Sequence, residues 1–175
     1  FDFERNIVRW CGAAALLLYS GDEYDLGEED DVPVTGYLNI DTRSNVFSAN
    51  YRGIHVVNRG AVSQGDYDFL NDTIANNEDY GLYLEGDEAL IHSLINCIVY
   101  FNRNGSGVQY SAGTSGWTPG GATVEYCNFQ NHSGGTGNID DDPEFVNASI
   151  GDFHLDDNSP CEDVGDNTPT LGSLS

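Results

Sequence analysis

The 175-residue chain contains no lysine, and its six cationic side chains are all arginine, against 29 Asp and Glu, for a formal charge of −23 at pH 7. That balance excludes nucleic acid as a partner, because a phosphate backbone is held by cationic side chains. Anionic membranes and polyanionic substrates are disfavoured on the same ground unless divalent cations bridge the two. Long hydrophobic runs are also missing. The longest, Ala13–Tyr19, covers seven residues, whereas a spanning helix needs about 20, so no membrane insertion is expected. Phe1-Asp2-Phe3-Glu4 has neither the basic nor the apolar region of a secretory signal, and the chain reads as a mature product or as an excerpt of a longer one. Cys11, Cys97, Cys127 and Cys161 lack the close CxxC pairing of a zinc site. They read as small buried apolar residues or as one or two disulfides. No GxSxG, HExxH, P-loop or dinucleotide fingerprint occurs.

What the chain does have is an apolar complement large enough to fold, with eight Phe and ten Tyr, and this sets it apart from a disordered acidic chain. The acidity itself suits either simple solubility or a salty medium. Asn71-Asp72-Thr73-Ile74-Ala75-Asn76-Asn77 is answered by Asn96-Cys97-Ile98-Val99-Tyr100-Phe101-Asn102, 25 residues on. Segments ending at Cys11, Asn50 and Asn131 join the series, giving spacings of 39, 27, 25 and 29. Apolar residues alternate over short spans bounded by Gly and Asn, which is strand chemistry and not helix chemistry. A further strand precedes each copy, as in Tyr37–Ile40, Tyr67–Leu70, Leu90–Ile95 and Ala122–Glu125.

This pattern predicts an all-β fold, a right-handed parallel β-helix (a solenoid) of about five turns with three short strands per turn. Stacked strands lie about 4.8 Å apart, so an inward Asn at a bend can bond the Asn above and below it. Asn50, Asn77, Asn102 and Asn131 are the expected ladder, and Gly53, Gly81 and Gly107 open the strand after it. The whole of 1–167 reads as one domain, with 168–175 as a flexible tail. Two insertions interrupt it. The acidic one, 20–33, carries seven carboxylates. Either it is a solvated loop or it holds Ca²⁺ through Asp22, Glu23 and Asp25. The other, 111–121, places Trp117 in a Gly/Ser/Thr loop beside Tyr110, able to stack on a sugar or a partner, or to fold back as a lid.

The closing segment, 138–167, reads Asn138-Ile139-Asp140-Asp141-Asp142-Pro143-Glu144-Phe145-Val146, then Gly151-Asp152-Phe153-His154-Leu155, then Ser159-Pro160-Cys161-Glu162-Asp163-Val164-Gly165-Asp166-Asn167. It resembles the terminal motif of secreted bacterial right-handed parallel β-helix proteins of the pectate-lyase-like superfamily. Glu162 departs from the pattern, standing where those proteins carry an apolar residue. The resemblance implies the fold, an extracellular or cell-surface location, and a last turn closed by Cys161 near Cys127, as a disulfide. Asp140 and Asp142 in this segment are further candidate Ca²⁺ ligands.

Catalysis has less support. Arg9 and Ser48 fall together in adjacent turns, but no column of acids accompanies them, and a polyuronate would meet a surface of its own sign. With 29 acids, carboxylate pairs at glycosidase spacing signify little. His55, His92, His132 and His154 share no column and are read as turn or solvent residues. The expectation is a non-catalytic extracellular module, a structural or adhesive surface or filament component that self-associates, end to end or as a homo-oligomer, or binds polysaccharide. The alternative is a polysaccharide-active lyase or glycoside hydrolase, or a fragment of one. An enzyme would bring acids, Arg and aromatics from several turns onto one external groove.

Overall fold

A computed structural model describes residues 2–21, 40–59, 67–86, 91–102, 110–112, 123–131 and 134–167. Its strands follow one another as β1 (Asp2–Glu4), β2 (Ile7–Arg9), β3 (Ala14–Gly21), β4 (Ile40–Arg43), β5 (Val46–Ser48), β6 (Arg52–Arg59), β7 (Tyr67–Leu70) and β8 (Thr73–Ala75). They continue as β9 (Leu82–Gly86), β10 (Ile91–Ile95), β11 (Ile98–Tyr100), β12 (Tyr110–Ala112), β13 (Thr123–Glu125), β14 (Asn128–Phe129), β15 (Phe145–Asn147) and β16 (Asp152–Leu155). The described residues are all-β, with one 3-10 turn at Ala148–Ile150.

The first fourteen strands are dealt in rotation into three parallel sheets, β1-β4-β7-β10-β13, β2-β5-β8-β11-β14 and β3-β6-β9-β12. Register partners lie from 24 residues apart, as Tyr67 and Ile91, to 39 apart, as Phe3 and Thr42. Inward positions form apolar columns. Phe47, Ile74, Val99 and Phe129 stack in the second sheet, and Leu16, Ile54 and Leu82 in the third. Together with Phe69, Leu94 and Tyr67 they make one core.

Short strands require sharp corners, and single residues with left-handed backbone supply them. Arg5, Ser44, Asn71, Asn96 and Tyr126 turn the chain from the first sheet to the second. Trp10, Ala49, Asn76, Phe101 and Asn131 turn it out of the second. A side chain pays a conformational penalty there that Asn bears most easily. Backbone bonds between layers hold the geometry, for example Ser44 N to Leu70 O at 2.9 Å and Asn71 N to Ile95 O at 3.0 Å.

The residue after each corner points inward and ties the layers together. In one column Asn77 Oδ1 accepts from Asn50 N and Asn50 Nδ2, both at 3.1 Å, and Asn102 Oδ1 accepts from Asn77 N at 3.1 Å and Asn77 Nδ2 at 2.8 Å. Asn50 Oδ1 continues the series to Cys11 N at 3.0 Å. Asn131 is not in this column. It is exposed and sits one position earlier, at the left-handed corner in line with Phe101 and Asn76, with its N–H bound by Asp140 Oδ1 at 2.6 Å. Gly53 and Gly81 are needed beside the column, since a Cβ on Gly81 would lie 2.5 Å from Asn102 Nδ2, and one on Gly53 2.4 Å from Gly81 O.

A second column, five residues upstream, runs Asn6, Asn45, Asp72, Cys97, Cys127. Asn45 Oδ1 accepts from Asn6 N at 2.9 Å, Asp72 Oδ1 from Asn45 N at 2.8 Å, and Cys127 Sγ from Cys97 N at 3.4 Å. Asn138 Oδ1 ends it by accepting from Cys127 N at 2.8 Å. The expected Cys127–Cys161 disulfide is not formed, and all four cysteines are free thiols. Cys127 turns its sulfur inward to the Leu94 and Glu125 carbonyls, while Cys161 Sγ accepts from Asn128 Nδ2 at 3.0 Å.

The closing segment first pairs with β14, through Phe129 N to Ile139 O at 3.1 Å and Ile139 N to Cys127 O at 2.9 Å. It then forms the antiparallel pair β15–β16 and returns along the second sheet. Asn76 Nδ2 holds Ala148 O at 2.8 Å, and Arg9 reaches Gly151 O. Residues 161–167 contain no strand, and Glu162 is exposed, which is how the segment accommodates an acid at that position.

Candidate functional site

The outer face of the third sheet carries the densest grouping of functional side chains among the described residues. Register places His55 of β6 directly beside Tyr83 of β9, with Leu17 of β3 next in line. The corner ahead of each strand adds its own residues, Tyr51 and Arg52 in one layer, Asp79 and Tyr80 in the next. The two layers are locked at this corner by Asp79 N to Tyr51 O at 2.7 Å and Gly53 N to Tyr80 O at 2.9 Å.

Arg52 is the hub. Its Nε donates to Asp79 Oδ2 at 3.0 Å, and its Nη1 stands 3.5 Å from His55 Nδ1. The guanidinium lies 4.0 Å from the centre of the Tyr83 ring and 5.3 Å from that of Tyr51. Tyr80 stacks on Tyr83 with centroids 5.2 Å apart and planes 19° from parallel, and His55 meets Tyr83 edge-on at 4.8 Å. Tyr51 is exposed, while Arg52, His55, Tyr80 and Tyr83 are half-buried. The result is an aromatic platform whose cation is fixed in place by a buried carboxylate. Cation–π contact and the ion pair both restrict Arg52, so its remaining N–H groups are oriented before any ligand arrives.

Three residues here depart from what the sequence predicts. His55, taken as a turn or solvent residue, packs on an aromatic ring in a strand. Tyr51 and Tyr80 had no role assigned. A signal was present, since Tyr51-Arg52-Gly53-Ile54-His55 and Asp79-Tyr80-Gly81-Leu82-Tyr83 occupy the same offsets in two consecutive repeats, with Gly in the same place.

The other expected site residues are dispersed. Trp117, Asp22, Glu23 and Asp25 lie outside the described residues, as does all of 22–33 and 113–121; Tyr110 opens β12 on the third sheet, next to Leu82. Asp140 and Asp142 are exposed and bind local backbone, at Asn131 N and Glu144 N. Among the described residues no three Asp, Glu, His or Cys converge to hold a metal. Their charge is nonetheless felt, because Tyr100 is raised in pKa by burial and then by Asp140, Asp142 and Asp141.

A cavity of about 480 Å³ is lined by Cys97, Cys127, Cys161, Asn71, Asn96 and Asp166, among others. Burial raises the Cys97 thiol well above its ordinary value and raises that of Cys161, so both stay protonated and neither is an activated nucleophile. No family model, no curated protein and no solved structure matches the chain.

Proposed function

We propose that the chain is a right-handed parallel β-helix serving as a non-catalytic extracellular module, and that it binds carbohydrate on the outer face of its third sheet. The observation that carries this reading is the Tyr51–Arg52–Tyr83–Tyr80 platform, braced by Asp79. Tyrosine rings offer flat apolar faces with polar edges, suited to the C–H face of a pyranose. Arg52 and His55 supply hydrogen-bonding groups at its rim. The repeat length, the rotation of strands through three parallel sheets and the resemblance of the closing segment all favour the β-helix, and right-handed crossover is the general rule for parallel strands. The charge of −23 favours neutral or cationic glycans over uronates.

The test is affinity electrophoresis against neutral, cationic and uronate polysaccharides, with release of reducing ends measured in parallel. Retardation by a neutral or cationic glycan, lost about tenfold or more in Tyr83→Ala, is expected; each good stacking contact is worth roughly 0.5–1.5 kcal/mol beyond its buried area. Retardation by uronates alone, or unchanged binding in Tyr83→Ala, would sink the proposal. Released reducing ends would favour the enzymatic alternative. That alternative is weaker here because Asp79, the acid of the group, is engaged by Arg52.

A second reading, self-association, is favoured by the outer edge of the first layer. Ile7 is 65 % exposed there, Trp10 82 % and Leu17 58 %, beside strands β1, β2 and β3, each last in its sheet. Among the described residues no strand pairs with their outer sides, and such edges with apolar side chains attract further strands. Sedimentation velocity across a concentration series should show association that Ile7→Lys with Leu17→Lys abolishes.

A further inference from the structure

Between the outer face of the second sheet and residues 148–153 lies a pocket of about 270 Å³. Its floor is Ser48 and Ala49, one wall is Arg9 with Trp10, and the opposite wall is the returning segment with Ile150 and Phe153. Arg9 and Ser48 are register partners on β2 and β5, so their side chains emerge side by side on the same face.

Both are incompletely satisfied. Arg9 Nη2 donates to Gly151 O at 2.5 Å, and the guanidinium stands 5.8 Å from the centre of the Phe153 ring. Its Nε, however, is buried with no hydrogen-bond partner, and so is Ser48 Oγ. Ser48 is 1 % exposed. A buried donor left unpaired costs roughly 1–3 kcal/mol, and native proteins keep few of them without reason. Here two occur on adjacent side chains lining one pocket.

Their chemistry is complementary to one kind of group. A guanidinium N–H and a hydroxyl on register-paired residues are both donors, and a carboxylate offers two acceptor oxygens. The mouth has a different character. Trp10 is 82 % and Ile150 75 % exposed, and both line the pocket, so its solvent side is apolar. We infer that this pocket binds a small carboxylate whose body is apolar or aromatic, its oxygens accepting from Arg9 Nε and Ser48 Oγ. A volume of about 270 Å³ suits a single small molecule and not a polymer.

The probe is benzoate, with benzamide as its neutral counterpart of the same shape, followed on the full chain by titration calorimetry and ligand-observed NMR. Saturable benzoate binding is expected, at least tenfold tighter than benzamide. Ser48→Ala, which removes the hydroxyl and keeps the pocket's shape, should weaken benzoate about tenfold, corresponding to roughly 1.4 kcal/mol. Gly151→Ala should weaken it too, because a Cβ there would lie 2.5 Å from Arg9 Nη1 and displace the guanidinium. Circular dichroism of each variant establishes that it is folded. Absence of saturable binding, equal binding of benzamide, or undiminished benzoate binding in a folded Ser48→Ala would each overturn the inference.

Discussion

Asn77 shows how much one side chain carries. Its carboxamide accepts two bonds from Asn50 and donates to Phe47 O at 3.0 Å and to Asn102 Oδ1. Asn77→Ala removes the acceptor of Asn50 N and takes one partner each from Asn50 Nδ2, Phe47 O and Asn102 Oδ1, and at roughly 1–3 kcal/mol for an orphaned buried group a loss of about 3 kcal/mol is expected in urea denaturation. Gly81→Ala should cost a comparable amount, because the added carbon collides with Asn102 and cores resist overpacking. Asp72 behaves oppositely. Burial, partly offset by bonds from Thr42 and Asn45, raises its pKa from 3.8 to about 6. The folded state therefore holds this proton more tightly than the unfolded state does. The resulting stabilisation is complete below pH 3.8, declines as pH rises through about 6, and at pH 8 leaves a penalty of roughly 3 kcal/mol. Asp72→Asn should raise the melting temperature at pH 8, with the gain vanishing at pH 4; an equal gain at both would show that charge is not the cause.

At the level of elements, the corners determine how much could be read from the sequence. The column of Asn50, Asn77 and Asn102 was legible because one residue type recurs beside a glycine in successive repeats. The column through Asn45, Asp72 and Cys97 was not. All it requires is an acceptor for the N–H of the next layer, and carboxamide, carboxylate and sulfur each serve, so no single letter recurs. Asn131 went to the wrong column because a left-handed corner and the ladder position after it both favour Asn, and only the paired strands tell them apart. The tyrosine platform was hidden for a related reason. Outward positions are free to vary, and its two layers share positions without sharing residue types. The returning segment depends on the same corners. Asn96 Nδ2 donates to Asp166 O at 2.8 Å and its Oδ1 accepts from Asp166 N at 2.7 Å, as a neighbouring strand would. Asn96→Ala should speed amide exchange across 161–167 while leaving β7, β10 and β13 protected; loss of protection in those strands as well would show that the segment is integral to the sheets.

For the molecule as a whole, charge opposes compaction. With −23 at pH 7 and six arginines against 29 acids, cations are too few to neutralise the carboxylates, although Arg43 and Arg52 form ion pairs with Glu4, Asp41 and Asp79. Screening shortens that repulsion to about 8 Å at physiological ionic strength. The melting temperature should therefore rise between 10 mM and 0.5 M sodium chloride, in contrast to a fold held by surface ion pairs.

The two inward columns also bear on how the molecule meets mechanical load. Their bonds run from layer to layer, in the same direction as the backbone bonds of all three sheets, so tension along that direction is shared by every interlayer contact at once. One layer spans 25 residues between Phe69 and Leu94, and each such layer that yields would release about 85 Å of extended chain. Stretching would thus proceed in discrete rips whose lengths follow the layers, the 39-residue layer from Phe3 to Thr42 giving a longer rip than the 25-residue one. The layers containing Asn50 and Asn77, each bonded through its side chain on both sides, would resist longest.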